Sequence, residues 1–198
     1  SRGLGDVYKR QTKNYLIVVP LILLMALTRS HHVGNAVSLP DASLAVFFLA
    51  GFFFASRSLF LMLLAQAAMI DYVEITQLNV SDFCISSAYV FLIPTYFAMW
   101  FGGRLSEKLH TMHGNKTAFY VLSSCILALS TVSAFLLSSG SFYLFSGRFE
   151  VLSLSAFLHN SAMYFPFYAN SAIAYTMSGF AIFYLIERLP SLIARKAA

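Results

Sequence analysis

The sequence predicts an all-α integral membrane protein: six transmembrane helices with both termini on the cytoplasmic side. Three observations carry that expectation. Only 11% of the 198 residues are charged and 59% are hydrophobic, whereas ordinary soluble domains carry about 25% charged residues. The apolar residues gather into runs near the roughly 20 residues that a membrane crossing needs. The basic residues sit at the ends of those runs rather than in one patch, as membrane topology requires. The net charge of +5 therefore does not point to nucleic acid.

Six apolar segments can be drawn in order. The first covers residues 13–28 and contains Pro20, which removes one backbone donor; neighbouring helices make this tolerable. The second covers 42–55 and opens at Pro40-Asp41, with Asp41 the expected N-cap. Only Ser56-Arg57 separates it from the third, 58–73, so the two form either a tight hairpin of short helices or one kinked helix. The fourth covers 85–101, the fifth 117–138 and the sixth 169–186. Between the last two, residues 139–168 are mixed and rich in Ser, Phe and Tyr. They read as a structured loop with a short amphipathic helix over 152–163. The opening stretch, residues 1–11, resembles translated adapter sequence and fits nothing downstream. It is expected to be a non-native tail, leaving residues 12–198 as a single six-helix membrane domain.

Charge placement tests the map. With a cytoplasmic N-terminus, every Lys and Arg falls inside except Arg29 and Arg148, which satisfies the positive-inside rule. Three outer loops then collect most of the polar residues. The first carries His31, His32 and Asp41; the second Asp71, Tyr72, Glu74, Asp82 and Cys84; the third Tyr143, Arg148, Glu150, His159 and Asn160. Polar groups bracketed by aromatics near one membrane face are what an externally loaded small-molecule site needs. Water-facing loops are polar in any case, so composition alone leaves both readings open.

Cys84 lies in an acidic, turn-like stretch between two apolar runs. A thiolate is a nucleophile and a ligand for metals that accept sulfur. Spacing alone also allows an inert cysteine. Cys125, inside the fifth run, reads as a small core residue. Two cysteines make no disulfide framework. Adjacent histidines at 31 and 32 are a weak metal signal. No phosphate-binding Gly-x-x-x-x-Gly-Lys-Ser/Thr loop and no Gly-x-Ser-x-Gly elbow occur, so ATP hydrolysis and serine hydrolase chemistry by those routes are excluded.

The runs Thr28-Arg-Ser-His-His32, Leu39-Pro-Asp-Ala-Ser-Leu-Ala-Val-Phe-Phe-Leu-Ala-Gly-Phe52, Ile70-Asp-Tyr72, Val80-Ser-Asp-Phe-Cys84 and Ala88-Tyr-Val-Phe-Leu-Ile-Pro-Thr-Tyr96 resemble the BtuM-type solitary cobalamin (vitamin B12) transporters. These are substrate-binding (S) components related to energy-coupling factor transporters of the bacterial inner membrane. The resemblance covers residues 28–104 well and the last two segments mainly by topology. It implies an S-component-like bundle that takes cobalamin as its transported substrate. Cys84 would be the ligand to the corrinoid cobalt and would assist decyanation of cyanocobalamin, expected there as reductive loss of cyanide. It further implies that Tyr89 and Tyr143 pack on the ring, with Asp82, His31, Asp41 and Tyr72 as further contacts. The partners implied are cobalamin, the lipid bilayer and either an energy-coupling ATPase module or none. The first segment lacks the small residues spaced four apart through which many S components dock that module, which suits a solitary component. The alternatives are an S-component-like transporter for another vitamin, a membrane redox enzyme with Cys84 as its reactive thiol, or a subunit with no ligand.

Overall fold

The computed structural model describes residues 2–30, 39–54, 56–77, 86–112, 116–150 and 152–196. All regular structure among them is helical: α1 Arg2–Arg29, α2 Ser43–Phe54, α3 Arg57–Gln77, a 3₁₀ turn Ser87–Phe91, α4 Leu92–Met112, α5 Lys116–Phe145 and α6 Leu154–Lys196. Two of these, α3 and the Thr117–Phe145 stretch of α5, are long and apolar enough to cross a membrane; the apolar Tyr15–Arg29 and Ser43–Phe54 stretches are shorter.

The core forms around α2. Every residue from Ser43 to Gly51 is buried, and the helix packs on α1, α3, α4 and α6. A short helix that is apolar on all sides is suited to burial on every face, and here it takes the centre. Its closest neighbour is α4, and two glycines set that approach. A Cβ on Gly51 would lie 2.0 Å from the carbonyl oxygen of Trp100, and one on Gly103 would lie 2.0 Å from that of Phe48. The two backbones touch where side chains are absent, the small-residue contact that also brings helices together in lipid. By contrast, α3 and α5 turn most of their apolar residues outward, with Leu61, Met69, Leu129 and Leu136 all more than half exposed.

Helix ends follow local chemistry. Oδ1 of Asp41 accepts from the backbone N–H of Ser43 at 2.9 Å, the capping role expected of it. Ser56 caps α3 by accepting from the Leu59 N–H at 3.3 Å, so α2 and α3 are separate helices. Ser86 accepts from the Ala88 N–H at the 3₁₀ turn.

Two expectations are corrected. The structured loop expected over 139–168 does not exist as such. α5 continues to Phe145 and α6 begins at Leu154, so the connection is short and the expected helix over 152–163 is the first part of α6. The serines do not break α5, because a hydroxyl can bond the preceding turn, as Ser141 Oγ does to the Ser138 carbonyl at 2.9 Å. Gly147, at φ 68°, supplies the left-handed turn between the helices. Cys125, expected in the core, is exposed on α5, since this helix turns most of its surface outward. α1 includes most of the 1–11 stretch, which is compatible with a non-native tail, as an established helix propagates at one hydrogen bond per added residue.

Candidate ligand-binding cavity

A cavity of about 870 Å³ opens at one end of the bundle. There α1 and α3 end, α2 and α4 begin, and the last turns of α5 meet the first turns of α6. One wall is polar and charged, built from Arg29, Asp41, Asp71, Tyr89 and Tyr96. The opposite wall, from α5 and α6, is aromatic and hydroxyl-rich: Phe135, Phe142, Tyr143, Phe157, Tyr164 and Tyr168 among Ser138, Ser139, Ser161 and Ser171.

Arg29 organises the first wall. It is the last residue of α1, and its side chain is only 10% exposed. Burying a guanidinium costs several kcal/mol unless it is paired and fully hydrogen-bonded. Nε and NH2 donate to Oδ1 and Oδ2 of Asp71, each at 2.6 Å, the bidentate fork that suits arginine to carboxylates. NH1 donates to Ser43 Oγ at 3.1 Å and to Tyr96 Oη at 2.6 Å. Oδ2 of Asp71 also accepts from Tyr89 Oη at 2.7 Å. Oδ2 of Asp41 stands 3.6 Å from Arg29 NH1. One cation therefore joins the ends of α1 and α3, the start of α2, the 3₁₀ turn and α4. Tyr96 is held from behind by Phe47, whose ring stacks on it at 4.3 Å.

The second wall is fixed by packing and by one tyrosine. Tyr143 Oη accepts from the Ser153 N–H at 2.8 Å and donates to the Ser153 carbonyl at 3.1 Å, closing the α5–α6 connection. Its ring lies 4.6 Å from Phe149 and 5.3 Å from Phe157. Ser87 Oγ bonds the Phe145 carbonyl at 2.7 Å, and Phe91 stacks on Phe145. These contacts join the 3₁₀ turn to α5 and hold the two walls in register.

Of the residues singled out in the sequence, Asp41, Tyr89 and Tyr143 line the cavity, whereas Tyr72 is exposed and is not among its lining residues. Cys84, Asp82 and His31 lie outside the described residues. Sequence reasoning missed Arg29, Tyr96 and the α6 aromatics Tyr164 and Tyr168, and it passed over Asp71 in favour of its neighbour Tyr72. A usable signal was present: Arg29 ends one apolar run and Asp71 lies late in another, and ionisable residues so placed seek each other. The chain matches no family model and no curated protein.

Proposed function

We propose that this chain is a six-span bacterial inner-membrane protein that takes up cobalamin, receiving the corrinoid in the outward-facing cavity and binding its cobalt through Cys84. The observation that carries the reading is the cavity itself. It lies in the upper part of the roughly 300–1,000 Å³ range of small-molecule sites and pairs apolar walls with a few fixed polar groups. The chain segment bearing Cys84 joins the end of α3 to the 3₁₀ turn, and Ala88 and Tyr89 of that turn line the cavity.

Three further observations support it. Apolar side chains dominate the outward surfaces of α3 and α5, which suits lipid and not water. Six helices, drawn with a cytoplasmic N-terminus, put the cavity on the outer side and nearly all basic residues on the inner side. The broad aromatic wall suits the face of a flat macrocycle, and the serine and tyrosine hydroxyls suit its amide side chains.

In this reading the thiolate of Cys84 donates an electron pair to cobalt(III). Cyanide leaves the axial position with its own pair and takes up a proton in water. The step is a ligand exchange with no net change in oxidation state, and sulfur is soft enough to compete for the metal. The test is growth of a B12-dependent strain that lacks its own importer. Expression of this chain restores growth on limiting cyanocobalamin, and Cys84→Ala restores it poorly. Equal growth with and without the chain overturns the proposal.

A further inference from the structure

We infer that the cavity selects by charge: it accepts neutral or cationic ligands that offer N–H or O–H donors and rejects anions, with Oδ2 of Asp41 as the accepting atom. The inference rests on the cavity being a ligand site, as proposed above, but not on the ligand being a corrinoid.

Three charged side chains line the cavity among the described residues: Arg29, Asp41 and Asp71. Their formal sum is one negative charge. Arg29 cannot serve as an anion receptor, because four of the five guanidinium N–H groups are already committed to Asp71, Ser43 and Tyr96. Asp71 is equally committed. Its Oδ1 accepts from Arg29, and its Oδ2 accepts from both Arg29 and Tyr89.

Asp41 differs. Its Oδ1 accepts from the backbone N–H and the hydroxyl of Ser43, at 2.9 and 2.6 Å. Among the described residues its Oδ2 has only the long 3.6 Å approach to Arg29; the side chain is 43% exposed, and Asp41 lines the cavity. An ionised carboxylate oxygen in that position is an acceptor only. It rewards an amide N–H, a hydroxyl or an ammonium group and repels a carboxylate or phosphate. Like charges brought together at a binding surface are a strong device for excluding wrong partners.

The test uses two matched pairs that differ mainly in charge, with affinities measured on the purified full chain. The first is cyanocobalamin against its monocarboxylates, in which one side-chain amide is hydrolysed to an acid. The second is riboflavin against riboflavin 5′-phosphate. The wild type prefers the neutral member of a pair that it binds by about tenfold or more. Asp41→Asn, which keeps the cap on Ser43, brings the ratio close to one, and Asp41→Glu retains it. A wild-type ratio near one, or a ratio that Asp41→Asn leaves in place, overturns the inference. Charge discrimination within the riboflavin pair, with no corrinoid bound, upholds charge selection and overturns cobalamin as the ligand. Corrinoid binding without discrimination does the reverse. Failure of the wild type to bind any of the four overturns both.

Discussion

Arg29 holds Asp71 through two hydrogen bonds of 2.6 Å, one to each carboxylate oxygen, across 42 positions of sequence. The pair is at once a wall of the cavity and a strut between α1 and α3. Its geometry is that of a satisfied ion pair in a poorly hydrated place, where neither partner tolerates the loss of the other.

Removing one partner should therefore cost far more than removing both. Asp71→Ala, which strands the guanidinium, is expected to destabilise the protein by about 3–5 kcal/mol. In the double variant Arg29→Met with Asp71→Leu, most of that loss should return. Equilibrium unfolding in detergent across the full mutant cycle measures the coupling. Additive losses would mean that the two residues stabilise the fold independently.

The contact between α2 and α4 depends on two missing side chains. Gly103→Ala would place a methyl group 2.0 Å from the Phe48 carbonyl oxygen, and backbone cannot step aside as a flexible side chain can. A loss of about 1–3 kcal/mol is expected, as for overpacked cores. Gly140→Ala, at a position with nothing within 4 Å, should be neutral or stabilising by up to about 1 kcal/mol. Thermal unfolding of the two variants side by side decides the point.

Tyr89 donates its hydroxyl to Asp71 and lines the cavity. Tyr89→Phe removes that bond and leaves the ring. A hydrogen bond to a charged acceptor contributes about 1.5–3 kcal/mol, so unfolding should shift by an amount near the lower end of that range. Ligand affinity should fall with it, because the carboxylate of Asp71 loses one of its fixed donors. An unchanged unfolding midpoint would place the hydroxyl outside the network.

The cavity can also be blocked. Ser139 lies on the α5 wall and is only partly buried. Ser139→Trp should abolish ligand binding while leaving unfolding within about 0.5 kcal/mol of wild type, the usual range for substitutions away from a packed core. Retained binding in a folded variant would mean that the ligand sits elsewhere.

The helices were legible where long apolar runs met turn residues. Asp41 and Ser56 mark boundaries in the sequence that their side chains enforce as caps in the structure. The α5–α6 connection was not legible. Its serines and Pro166 look like breakers to a local reading, yet α6 runs through Pro166 and α5 through Ser138 and Ser139. Packing between helices overrides such local preferences. The site was half legible for a related reason. Aromatic residues and Asp41 stood out one at a time in the sequence. The pairing of Arg29 with Asp71 and Tyr96 depends on three helices meeting; the sequence places ionisable residues late in two apolar runs but does not record which partners they find.

The most direct measurement is the visible absorption spectrum of the purified protein mixed with cyanocobalamin, compared with that of Cys84→Ala. The account predicts a shifted corrinoid spectrum in the wild type, as sulfur replaces cyanide on cobalt, and the spectrum of free cyanocobalamin in the variant. A wild-type spectrum identical to that of the free vitamin, or one that the loss of Cys84 leaves unchanged, would contradict it.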